Sequence, residues 1–287
     1  FKEGNSSQRT VMAAAHMDEI GLIATHIDED GFIRFSNVGG VSPYNLLGER
    51  VVFNGETVGV IDKEGKLDKI SKLKHNKMYI DLGTTSREET KEKVTIGDTA
   101  VYARRFNDLG ERVTAKALDD RAGCALLIKT LQDLETPAYD TYFVFTVQEE
   151  VGLRGAKVSA YGIEPDIGIA VDATLTGDMP EAKRMAVSLG EGPAIKVKDK
   201  SVLANKKLKD VMIKTAEDNQ ISYQLEVLTH GGTDAGSIQL TREGVIAGAI
   251  SIPTRYVHSP SELVDINDLQ AGQKLISKLL AEQITAF

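Results

Sequence analysis

The stretch Tyr142-Phe143-Val144-Phe145-Thr146-Val147-Gln148-Glu149-Glu150-Val151-Gly152 decides how the chain is read. It begins as a β-branched and aromatic run, the composition of a buried strand. Two consecutive carboxylates, Glu149 and Glu150, follow where the apolar run stops. In open α/β sheets, ligands and reacting groups gather beyond the carboxyl ends of strands. Neighbouring acids there repel one another unless positive charge lies beside them. A metal ion held by one glutamate, with the other free as a base, would meet that need. Taken alone, the pair is better read as two solvated loop residues; the remaining sequence changes that balance.

Working outward, 287 residues give room for one large or two moderate domains. A hydrophobic content of 41% with 26% charged residues is that of a soluble globular chain. The net charge of -8, with no basic cluster to offset it, argues against a nucleic-acid partner. The single thiol, Cys124, excludes an internal disulfide framework and a cysteine-cage metal site. Its apolar setting, Ala122-Gly123-Cys124-Ala125-Leu126-Leu127, marks it as a small buried hydrophobe. No run approaches the ~18 apolar residues of a membrane span. No signal-peptide pattern is present, so a cytoplasmic location and no membrane partner are expected. The chain enters a strand almost directly after Phe1, and an upstream segment is expected to be missing.

In order, residues 10–15 read as a strand of small residues packed on both faces, ending in His16-Met17-Asp18-Glu19. An imidazole followed two residues later by an aspartate suits a metal ligand with a carboxylate behind it to set its tautomer. Residues 21–112 change texture. Short β-rich pieces alternate with the turn signals Asp30-Gly31, Gly39-Gly40, Asn54-Gly55 and Glu64-Gly65, which predicts an inserted all-β, barrel-like domain. Within it, residues 86–93 read as a short exposed helix, residues 63–77 as a mobile solvated loop, and His26 and His75 as surface or packing histidines.

Helical periodicity resumes after Lys116, with Asp119 or Asp120 placed to cap the helix. One aspartate would suffice for a cap; two invite a further role for one of them. A second apolar strand ends at Asp172, and further strands are expected at 193–197, 221–228 and 247–253. Helices are expected at about 203–219 and 267–284, the latter amphipathic. Helix and strand in alternation imply an α/β fold with a mixed, largely parallel sheet and helices on both faces. The domains are then a discontinuous one of residues 1–20 and 113–287, and the β insert of residues 21–112.

Five loci share the same rim of that sheet: His16, Asp119, the Glu149-Glu150 pair, Asp172 and His258. Two histidines, two aspartates and a glutamate suit a pair of divalent ions such as zinc, cobalt or manganese. A shared carboxylate would hold them ~3.5–4 Å apart and bring a bound water's pKa toward ~7, leaving the second glutamate to move its proton.

The strings Ala15-His16-Met17-Asp18-Glu19-Ile20-Gly21, Ala117-Leu118-Asp119-Asp120-Arg121-Ala122-Gly123, Gln148-Glu149-Glu150-Val151-Gly152, Val171-Asp172 and Tyr256-Val257-His258-Ser259 stand in the order found in one family. The chain resembles the M42 metallo-aminopeptidases, which include glutamyl aminopeptidases and the tetrahedral TET peptidases. The resemblance covers essentially all of it and implies a zinc-exopeptidase-like fold. By that resemblance, His16, Asp172 and a bridging Asp119 hold one ion, and Asp119, Glu150 and His258 hold the other. Glu149 matches the catalytic base, Asp18 the aspartate that orients His16, and Asp120 a residue supporting the geometry. His230, in the string His230-Gly231-Gly232-Thr233-Asp234, falls near the substrate. The insert matches a small β domain used in dimerisation, implying a homo-oligomer, up to a dodecamer.

The expected activity is removal of N-terminal residues from peptides. A metal-dependent deacylase or dipeptidase on the same scaffold is the nearest rival. Glycoside hydrolysis is disfavoured, since its two carboxyls stand ~5–9.5 Å apart across a sugar bond and adjacent glutamates point differently. The histidines would also have no part in it, and the chain has no tryptophan to grip a polysaccharide.

Overall fold

The computed structural model describes residues 1–182 and 184–284. Its central strand, β1 (Ser6–His16), shows why small residues were needed there. Val11, Ala13 and Ala15 face one apolar cluster and Met12 and Ala14 another, each at most 1% exposed. Period-two alternation therefore buries both faces, as a strand between two helical layers requires.

From β1 the chain passes into a closed antiparallel barrel of β2 (Gly21–Ile27), β3 (Ile33–Val38), β4 (Arg50–Phe53), β5 (Thr57–Lys63), β6 (Met78–Asp81) and β7 (Thr99–Tyr102), with α1 (Arg87–Lys91) beside it. The barrel order is β2-β3-β6-β5-β4-β7, closing β7 onto β2. Leu22, Ile33, Phe35, Val51, Phe53, Ile61 and Ile80 fill it. Asn54 and Gly55, at φ 50 and 80, supply the left-handed backbone that the β4–β5 hairpin demands. Residues 63–77 are not the plain solvated loop expected. Short 3-10 turns form at Ile70–Lys72 and His75–Lys77, and Leu73 is buried in the barrel core because the apolar side chain gains more inside than the backbone loses by ordering.

The chain then returns to the main sheet with β8 (Asn107–Asp108), β9 (Arg112–Ala115), α2 (Leu118–Asp133), β10 (Tyr139–Thr146), α3 (Arg154–Ile163), β11 (Ile167–Thr174), β12 (Ala194–Lys198), α4 (Lys206–Asp218), β13 (Gln224–Val227), α5 (Asp234–Ile238), β14 (Ile246–Arg255), β15 (Glu262–Asp265) and α6 (Ile266–Ala281). Strands β10-β1-β11-β14 run parallel side by side. Antiparallel β15, β9 and β8 extend the sheet beyond β14, and β12 with β13 branches from it. Strand β8 lies inside the 21–112 range yet pairs with β9 of this sheet. Helices α2, α4 and α6 cover one face, and α3 and α5 the other. Among the described residues no helix is long and apolar enough to cross a membrane.

Caps set the helix ends. Asn205 accepts the Lys207 and Leu208 amides, so α4 starts later than the expected residue 203, and Asp265 caps α6. The start of α2 differs most from expectation. Ala117 is left-handed at φ 57, Asp119 and Asp120 have non-helical backbones, and the peptide bond between these two is cis. Asp120 performs the cap by accepting the Gly123 amide at 3.1 Å, which frees Asp119 to point elsewhere.

Candidate metal centre

Parallel strands bring their carboxyl ends to one rim. In register, His16 ends β1 opposite Thr146 of β10, and Asp172 sits near the end of β11. Glu149 and Glu150 follow β10, and His258 follows β14. Asp119 reaches the same point from the irregular start of α2.

The two imidazoles divide one aspartate between them. His16 Nε2 lies 3.1 Å from Asp119 Oδ1, and His258 Nε2 lies 3.3 Å from Asp119 Oδ2. His16 Nε2 is also 3.7 Å from Asp172 Oδ1, and His258 Nε2 is 3.2 Å from Glu150 Oε2. Two triads result: His16, Asp119 and Asp172, and Asp119, Glu150 and His258. In each the candidate ligand atoms lie within 4.8 Å of one another. Glu149 belongs to neither triad but approaches His16 Nε2 to 3.9 Å.

Behind these groups stand the residues that aim them. Asp18 Oδ1 is 3.6 Å from His16 Nδ1, and the Asp18 carbonyl oxygen is 3.2 Å from the same nitrogen. The Asp18 carboxylate also accepts the backbone amides of Glu149 at 3.1 Å and Glu150 at 3.3 Å, so one side chain orients the histidine and holds both glutamates. Asp120 accepts the His16 amide at 3.2 Å.

The sequence reading missed Glu262. It is 2% exposed and accepts the Asp119 amide at 2.9 Å and the His258 amide at 2.8 Å. It missed Lys196 as well, which is 1% exposed and paired to Glu226 at 2.6 Å, while Thr174, two residues after Asp172, donates its hydroxyl to that glutamate. It also read Gly39-Gly40 only as a turn. A Cβ on Gly40 would overlap the His258 ring, and one on Gly39 would press on Glu150 at 3.1 Å, so the barrel contributes a wall here. No local signal marks any of these, because their partners are distant in the chain.

Burial disfavours a charged His16, but the hydrogen bonds it donates to Asp119, Asp172 and Asp18 override it and raise its pKa well above the usual imidazole range. Burial opposes charge on His258 too, yet Asp119 and Glu150 bring it up to about 11. Burial, then the Asp172 charge, pushes Glu149 up to about 10. Burial pushes Asp172 up to about 7, with His16 pulling the other way, and Glu262 up to about 8. Asp119 stays below the carboxylate range because its two histidines outweigh its burial. Two imidazoles thus face eight acids: Asp18, Asp119, Asp120, Glu149, Glu150, Asp172, Asp234 and Glu262. Buried uncompensated charge costs several kcal/mol per ion, so this donor set fits divalent cations, and its oxygen and imidazole atoms fit a borderline metal.

The expected substrate neighbour, His230, is in neither triad. It lines a cleft of about 550 Å³ that opens onto the cluster, together with Leu153, Leu175, Leu228 and Val257. His26 is exposed near Asp28, and His75 packs edge-on against Phe35, both in the barrel region.

The family model described as M42 glutamyl aminopeptidase matches residues 1–275. A protein of Acetivibrio thermocellus named as an aminopeptidase is 51% identical over 93% of this chain and 81% of its own length. The lysyl aminopeptidase of Pyrococcus furiosus is 38% identical over 95% of this chain and 81% of its own. The solved aminopeptidase APDkam598 of Desulfurococcus kamchatkensis superposes with a TM-score of 0.93 at 43% identity, covering 98% of this chain and 81% of that one. The chain belongs to the M42 glutamyl aminopeptidase family and is a peptide-bond hydrolase.

Proposed function

We propose that the chain is a dinuclear metallo-aminopeptidase whose ions are held by His16, Asp119 and Asp172 on one side and by Asp119, Glu150 and His258 on the other. The observation that carries this reading is the division of Asp119, one oxygen toward each histidine, beside a buried glutamate that belongs to neither triad. Bound there, two divalent ions supply Lewis acidity toward a water and a scissile carbonyl. Glu149 takes the proton from that water and returns it to the leaving amine. Its raised pKa comes from burial beside other acids, so neutralising those acids lowers it toward a range useful for a base. Asp18 keeps His16 in one tautomer and fixes the backbone of Glu149.

Residues 1–20 and 113–287 carry the chemistry in this reading, and residues 21–112 serve assembly into a homo-oligomer. Val58, Val60, Ile70 and Ile96, all from that insert, are between 46% and 62% exposed, which suits a surface covered by a second copy.

The test uses chelator-stripped protein refilled with zinc, cobalt or manganese and assayed on aminoacyl anilides and acylated peptides. Hydrolysis only with metal, and only of free-amine substrates, is expected; cleavage of acylated peptides instead makes the protein a deacylase. Glu149→Gln should lower turnover by roughly 10²–10⁴-fold while metal content stays level. A Glu149→Gln protein that loses its metal would show that the roles are misassigned.

A further inference from the structure

Relatives in this family are named for a lysyl or a glutamyl preference, side chains of opposite charge. Selecting a lysine needs an acid free of other duties in the cleft, and selecting a glutamate needs a cation. Among the described residues that line the cleft there is no lysine and no arginine. Every acid on that lining (Asp119, Glu149, Glu150 and Asp172) already belongs to the proposed ligand and base set.

Beyond the metal-facing groups the lining carries two polar side chains, His230 and Thr174, and is otherwise apolar or bare backbone. Leu228 Cδ2 lies 3.5 Å from where a Cβ on Gly231 would stand, and Leu153 Cδ1 lies 4.0 Å from that of Gly232. Leu153, Leu228 and the two glycines therefore form one continuous patch, with Leu175 and Val257 also on the lining. Thr174 adds no free polar group, because its hydroxyl is committed to Glu226 at 2.7 Å. Concave apolar walls with a few polar groups at one end hold an apolar side chain by removing its surface from water.

We propose that this patch receives the side chain of the substrate's N-terminal residue and selects apolar residues of the leucine, methionine or phenylalanine kind over lysine and glutamate. The proposal rests on the aminopeptidase reading above and deepens it. A lysine side chain entering the patch would lose its hydration with no uncommitted acid in return, and a glutamate would meet only the His230 ring at the edge of the lining and no lysine or arginine, which is how a pocket rejects them.

The experiment measures kcat/KM of the metal-loaded protein on leucyl, methionyl, phenylalanyl, lysyl and glutamyl p-nitroanilides, then repeats it with Leu228→Glu and Leu153→Glu at matched metal content. The expected result is a preference of about tenfold or more for the apolar substrates, lost in at least one variant as the lysyl to leucyl ratio rises. A protein that cleaves lysyl or glutamyl substrates best overturns the proposal. So does an unchanged lysyl to leucyl ratio in both folded, metal-replete variants. If no anilide is hydrolysed under any metal, the aminopeptidase reading itself fails, a distinct outcome.

Discussion

Glu262 touches neither cleft nor candidate ligand atom, yet both its oxygens are spent on the backbone of two ligands. In Glu262→Gln one of the two accepting oxygens becomes an NH₂ group facing an amide N–H, a donor against a donor. Supporting residues of this kind usually cost 10–100-fold in metal affinity when changed, so a loss of about that size is expected on the Asp119 and His258 side. Competition with a chromophoric chelator measures it, and wild-type affinity for both ions would remove Glu262 from the site. At this scale the candidate ligands were legible because histidine and acid types at strand ends carry their chemistry in their names. Glu262, Lys196 and Gly40 were not, since each matters only through a neighbour far along the chain. For Asp120 the sequence allowed a cap or a further role, and the structure gives it both, a cap on Gly123 and an acceptor for the His16 amide.

At the scale of elements, the segment after β11 carries Leu175 to the cleft and is held in part by an ion pair. Arg255, the last residue of β14, donates to Asp178 at 2.6 Å, and Asp178 also accepts the Leu189 amide at 3.1 Å. Partial burial pushes the Asp178 pKa up, but the guanidinium and these hydrogen bonds outweigh it and hold it well below the usual aspartate range. The sign follows: the ionised form is favoured by folding, so its stabilisation is complete above the unfolded aspartate pKa of about 3.9 and is lost progressively below it, as pH falls through the lower folded pKa. Asp178→Asn should therefore lower the melting temperature at pH 7, and that difference should be clearly smaller by pH 2. A deficit that persists unchanged at pH 2 would show that packing, not charge, holds the segment. Most element positions were readable from periodicity and caps. The start of α2 was not, because its left-handed and non-helical residues obey the site they serve and not local propensity.

For the molecule as a whole, the barrel is more than an appendage, since Gly39 and Gly40 back Glu150 and His258 and the Asn45 side chain donates to the His258 carbonyl oxygen at 3.2 Å. Its exposed valines and isoleucines support assembly through the same unit. Light scattering on metal-loaded protein at micromolar concentration should give an even-numbered oligomer, and Val58→Lys with Val60→Lys should shift it to smaller species. A monomer at all concentrations would leave the barrel with only its role at the site. By itself the sequence determined the α/β class, the barrel-like insert, the family and the identity of the candidate ligands, because hydrophobic period, turn residues and donor chemistry are written locally. Only the tertiary structure decided how Asp119 is shared, which side chains aim the ligands and what lines the cleft. Those are distances between segments far apart in the chain, set by sheet register and packing that no single stretch encodes.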